Sequence, residues 1–281
     1  MNAFFFRQMS ILTLDEFKQL LLRKRAIFAL ILYTGMLFLV FWGISRSRVL
    51  MMDAVKQMKI PLQPAEKMVI EQSLKQFSIP EPWIQKVPIM GAALPLLVYF
   101  ILSLCTIPFL IPMVSCDMIS LDLFRGTQRF LLFRVSRTAY FWSKTLAHFV
   151  LYLLVQSVVL LMLYGFCFFY AREVFSLKFF WDSLHLTLRL IPVIVVFLAF
   201  IQLISSQIAN PVKSLIVSNV GLLVMVILLA LKPQLSLFYH PLWGGLFTYK
   251  TVSLMKSVLG FGAWSVFFWG ISFGFFWVKK L

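Results

Sequence analysis

The run LIPVIVVFLAFIQLISSQIANPV, Leu190–Val212, carries no charged side chain and no alternation of apolar with polar residues. A helix needs about 20 residues to cross the hydrocarbon core of a bilayer. No water reaches a bare peptide group there, so a continuous apolar run of this length must close its own hydrogen bonds as an α-helix. Five further runs of the same kind flank it, and the predicted spans cover residues 26–45, 88–114, 145–170, 190–209, 213–231 and 258–278. The fold class expected is an all-α integral membrane protein with six transmembrane helices, organised as a single transmembrane domain over residues 1–281.

Composition agrees with that reading. The chain is 61% hydrophobic and 17% aromatic with only 13% charged residues, and its mean hydropathy is +0.92. A soluble globular domain is excluded by these values, and a membrane β-barrel by the lack of period-two alternation. The start, MNAFFFRQMS, shows no basic region followed by an apolar stretch and a small-residue cleavage site, so the first span is expected to be permanent.

The net charge of +16 is spread over the connections between spans, where contact with anionic membrane lipids is its ordinary use. No nucleic acid is expected as a partner. Thirteen lysines and arginines fall on each side of the predicted spans, so the count alone does not orient the chain. Arg23-Lys24-Arg25 beside the first span and Lys279-Lys280 after the last weigh more than charges spread through a long loop. Both termini are therefore expected in the cytoplasm.

Ahead of the first span, residues 12–25 place Leu14, Phe17 and Leu21 on one helical face, with Thr13 and Glu16 in capping-box spacing. This predicts an interfacial helix; the alternative is a simple extension of the span. Residues 46–87 form the long external loop, with Pro61, Pro64, Pro80 and Pro82. Its methionines, Met51, Met52, Met58 and Met68, lack regular spacing and are expected to pack rather than bind copper. Pro88, Pro95, Pro108 and Pro112 predict a bent or broken second span. Between the last two spans, Pro233, Pro241 and Gly244-Gly245 predict short helices at the outer interface, anchored by Tyr239, Trp243 and Tyr249.

Candidate chemistry is sparse. Cys105, Cys116 and Cys167 have no metal-ligand spacing and are expected to pack, while His148, His185 and His240 are expected to be neutral and hydrogen-bonded. The spans hold no carboxylate, which leaves proton coupling or a buried cation site without an evident residue. No metal site is expected. Gln202, Ser205, Ser206, Gln207 and Asn210 crowd the end of the fourth span and cannot all face lipid. They serve either interhelical hydrogen bonds or the wall of a translocation path.

Against this background the segment SLDLFRGTQRFLLFRVSR, Ser120–Arg137, stands out for its charge. Read as one helix over residues 120–134, it sets Leu123, Phe124, Thr127, Phe130 and Leu131 on one side and Asp122, Arg125 and Arg129 on another. Such a helix can lie against anionic headgroups or dock on a partner. The order of an acidic residue (Asp122), a Gly-Thr pair (Gly126-Thr127), two leucines (Leu131-Leu132), Ser136-Arg137 and a following Lys144 resembles the first cytoplasmic connection of ABC-2 type permeases. The chain resembles that family end to end, with departures at Phe124, Arg134 and Ser143.

The resemblance implies a coupling helix in which Asp122, Phe124, Arg125, Gly126, Thr127, Arg129, Phe130 and Leu131 meet an ATPase subunit. It implies a second permease chain, as homodimer or paralogous heterodimer, and two ATP-binding-cassette ATPase chains that hold ATP and Mg. The expected function is export of an amphipathic, lipid-like or peptide substrate, and the expected location is a bacterial cytoplasmic (inner) membrane. The chain has no G-x-x-x-x-G-K-[ST] phosphate loop, so it is expected to be no enzyme and to carry no cofactor of its own. An intramembrane enzyme and a membrane scaffold without transport are the alternatives.

Overall fold

A computed structural model of the chain describes residues 3–58, 94–170, 177–231, 246 and 251–278. Among these residues there are nine α-helices and no strand: α1 (Ala3–Leu22), α2 (Lys24–Met58), α3 (Leu94–Ser115), α4 (Ser120–Arg125), α5 (Thr127–Arg134), α6 (Arg137–Tyr170), α7 (Leu177–Gln207), α8 (Pro211–Leu231) and α9 (Thr251–Val278). Most of the expected external loop, the segment before α9 with His240, and Lys279-Lys280 lie outside the described residues.

Among the described residues, four stretches are long and apolar enough to cross a membrane: Tyr99–Arg125, Arg137–Phe169, Phe179–Gln207 and Leu254–Val278. The pair Phe5–Leu22 and Ile27–Gly43 becomes a fifth if it is counted as one span, and it is bent by 68° at the intervening residues. The apolar part of α8, Pro211–Met225, is shorter. The described structure thus holds several apolar helices suited to a membrane protein, against the six spans expected from apolar runs.

Helix ends differ from the sequence reading in ways that matter for the site. Because α1 starts at Ala3, Thr13 lies inside the helix, where its Oγ1 donates to the Met9 carbonyl at 2.7 Å instead of capping. α3 runs on through Pro108 and Pro112 and gives out only at Ser115. The one helix expected over 120–134 is two, because Gly126 sits at φ 69° and closes α4 in the left-handed conformation. That conformation costs a residue with a Cβ about 1–2 kcal/mol. α4 and α5 are therefore called the elbow.

α7 is the centre of the bundle, packed against α9, α3, α6 and α8, while α1 lies along α6. Aromatic rings fill the α6–α9 seam: Tyr140 stacks on Phe276, and Trp142 meets Trp269 edge to face at 5.2 Å. α8 approaches α7 at Gly221, where a Cβ would lie 2.8 Å from Phe200 Cζ.

Candidate functional site

The turn between α3 and α4 breaks a helix beside apolar walls, so its peptide groups need side-chain partners. Serines supply them. The backbone N–H groups of Ile119 and Ser120 both donate to Ser205 Oγ, at 2.9 and 3.0 Å. The freed carbonyl of Cys116 accepts from Ser120 Oγ at 2.9 Å and from Ser214 Oγ at 2.7 Å. These contacts pin the root of the elbow to α7 and α8.

A cluster of charges pins the elbow from the other side. Lys144 on α6 bridges Asp122, at 2.7 Å, and Glu16 on α1. Arg23, at the bend between α1 and α2, reaches Glu16 at 3.1 Å and Asp117 at 2.9 Å. Tyr140 donates its hydroxyl to Asp122 at 2.6 Å, and Thr127 does so at 3.3 Å. The Lys144 and Glu16 side chains are 7% and 5% exposed. Such a buried pair is costly to break, because removal of one partner leaves an uncompensated charge.

Three carboxylates here face two cations, and together they join α1, the α1–α2 bend, the elbow and α6.

The residues expected to couple divide into two groups. Asp122 turns inward, and Leu131 is half-buried against the core with Leu123 and Leu132. Phe124, Arg125 and Thr127 are exposed, Phe124 at 63%. Phe133 at 88% and Arg134 share that exposure, and neither is among the residues expected to couple. Gly126 is the joint itself. The side chains of Arg129 and Phe130 lie outside the described residues. Gln128 is buried with both amide atoms unpartnered, an arrangement that costs about 1–3 kcal/mol.

The polar residues at the end of α7 and just beyond it are hydrogen-bonded within the bundle. Gln202 accepts from Thr145 Oγ1 at 2.6 Å and Trp269 Nε1 at 3.0 Å, and donates to the Phe141 carbonyl at 3.2 Å. Ser206 meets Ser272 of α9 at 3.2 Å and accepts from Gln207. Asn210 accepts from the Val212 and Lys213 amides as the N-cap of α8, with Pro211 in its first turn. The contacts reach the turn before α4, α6 and α9, and the start of α8.

Searched against family models and against curated proteins, the chain finds no match. The site must speak through its own chemistry.

Glu16, Arg23, Asp117 and Tyr140 were missed as members of one site. Glu16 looked like a capping residue and Arg23 like an orienting charge, and positions so distant in sequence carry no signal of their meeting. Among the described residues no group of three or more His, Cys, Asp or Glu side chains could hold a metal. None of the three cysteines is in a disulfide; Cys116 and Cys167 are buried, whereas Cys105, expected to pack inside, is exposed.

Proposed function

We propose that the chain is the permease subunit of an ATP-binding-cassette exporter of the ABC-2 type, with the elbow as its coupling element. The observation that carries this reading is the two-sided character of the elbow. Its outer side offers Phe124, Arg125 and Phe133 to a partner, while its inner side is tied through Asp122 and Lys144 to α1 and α6. A force applied at the outer side passes into the bundle through ion pairs and hydrogen bonds rather than through loose chain.

In this reading two permease chains pair, six spans place both termini in the cytoplasm of a bacterial inner membrane, and separate ATPase subunits hold ATP and Mg. Closure of the ATPase pair moves the elbows, and the bundle opens outward for an amphipathic, lipid-like or peptide cargo. Interhelical bonding by Gln202, Ser205 and Ser206 makes these residues part of the moving framework.

The test is a double substitution, Phe124→Ala with Arg125→Glu, on side chains that point away from the bundle. A buried aromatic anchor in an interface costs about 2 kcal/mol or more when truncated. The wild type is expected to co-purify with an ATPase and to support ATP turnover, and the variant to lose both while keeping its thermal stability. Wild-type levels of ATPase and turnover in the variant would refute the proposal.

A further inference from the structure

Between α1, α6, α7 and α9 lies a cavity of about 290 Å³, whose walls include Met9, Trp142, Leu146, Phe149, Leu198 and Trp269. An engineered cavity of about half that volume, lined by apolar side chains, takes up benzene. The polar groups of this lining are already committed. Thr145 Oγ1 and Trp269 Nε1 both donate to Gln202 Oε1, at 2.6 and 3.0 Å. The walls therefore offer a guest apolar contact and no spare N–H or O–H.

Trp142 and Leu146 are each more than a third exposed, so the cavity opens on the outside of the bundle. Val150, Leu154 and Val158 continue from that opening at every fourth position, all of them exposed. At 1.5 Å per residue this apolar track extends about 18 Å beyond Leu146. A chain of methylenes that leaves the cavity along α6 stays on apolar side chains throughout.

Toward the elbow the same seam turns aromatic and then cationic. Trp142 meets Trp269 of α9, and eight residues later on α9 Trp277 lies under Arg137, whose Cζ is 5.9 Å from the ring centroid. Tryptophans gather at the level of lipid headgroups, where one side of the ring is apolar and the other wet. Arg137 donates to the Trp277 carbonyl at 2.8 Å and keeps further guanidinium N–H groups for another acceptor. Among the described residues it makes no ion pair, because Glu16, Asp117 and Asp122 are taken by Lys144 and Arg23. Arg134 is exposed three residues earlier.

Cation, aromatic rings and hydrocarbon thus follow one another in the order in which a phospholipid presents their complements. We infer that the α6–α9 seam binds one anionic phospholipid, with its phosphate on Arg137 and Arg134 and an acyl chain in the cavity. A guanidinium suits this role because its planar fork meets two phosphate oxygens while its face stays on the indole. A zwitterionic headgroup brings its own cation to the same two arginines and loses part of the attraction. A free phosphate ion makes no use of the cavity. The site is a property of this chain and stands whether or not the chain exports anything.

The experiment is native mass spectrometry of the full chain in dodecyl maltoside, titrated with phosphatidylglycerol or with phosphatidylcholine of the same acyl chains. Two basic residues at the headgroup predict that the first bound lipid favours phosphatidylglycerol about tenfold. Arg137→Gln is expected to cut that preference to about threefold or less, while Arg137→Lys keeps most of it. Lys213→Gln, on an exposed cation at the start of α8, controls for general attraction and is expected to behave as wild type. Met9→Trp and, separately, Leu146→Trp narrow the cavity and are expected to lower phosphatidylglycerol uptake, with thermal unfolding to confirm that each variant is folded. Equal affinity of the wild type for the two lipids overturns the site. So does a preference that survives Arg137→Gln or falls equally in Lys213→Gln. Full phosphatidylglycerol uptake by both tryptophan variants would mean that a phosphate is held without its acyl chain, and it overturns the inference as well.

Discussion

Lys144→Met tests whether the ion cluster is dry. The substitution keeps an unbranched apolar stem and removes the charge shared by Glu16 and Asp122. Loss of one partner from a buried ion pair costs about 3–5 kcal/mol. The lower end applies here, because Arg23 remains 3.1 Å from Glu16 and Tyr140 remains 2.6 Å from Asp122, so each carboxylate keeps a donor. The expected loss of about 3 kcal/mol is a roughly 150-fold shift in the unfolding equilibrium. Reversible unfolding by sodium dodecyl sulfate in mixed micelles, followed by tryptophan fluorescence, reads it directly. Adding Glu16→Leu and Asp122→Leu to the same chain should recover much of the loss, since it removes both carboxylates that Lys144 served and leaves Arg23 paired with Asp117. A loss below about 1 kcal/mol for Lys144→Met is what an exposed pair shows. It would mean that water screens the cluster and that the elbow is not held as argued.

Two further outcomes follow from local geometry. Ser205→Ala leaves two buried amides without their acceptor, at about 1–3 kcal/mol each, whereas Ser205→Thr keeps the oxygen and most of the stability in the same titration; equal stability of Ala and wild type would remove Ser205 from the elbow's support. Gly221→Ala drives a methyl group to 2.8 Å from Phe200 and should cost about 1–3 kcal/mol, with Phe200→Leu in the same chain restoring it; an unaltered midpoint would refute the close α7–α8 approach.

The helices were legible because hydrocarbon leaves the backbone one economical answer, and an uncharged run such as Leu190–Val212 announces itself without knowledge of its neighbours. The elbow was legible as a charged segment between apolar runs, and Gly126 was noticed, but not as a break. A glycine inside an otherwise helical pattern does not announce a positive φ. The ion cluster was illegible because its members come from positions 16, 23, 117, 122 and 144. Arg23 shows the difficulty most clearly. As one of three adjacent basic residues it reads as an orienting charge, while its guanidinium is committed to Glu16 and Asp117.

The single oxygen of Ser205 has a consequence in time. Its two donors, Ile119 and Ser120, are made 86 and 85 residues earlier. At a synthesis rate of roughly 5–20 residues per second, some 4–17 s pass before the acceptor exists. Through that interval the amides at the root of the elbow wait for α7 to be made. Insertion and shaping of the elbow are therefore separate events, and a chaperone or the translocation machinery has a window in which to hold the segment before the bundle claims it.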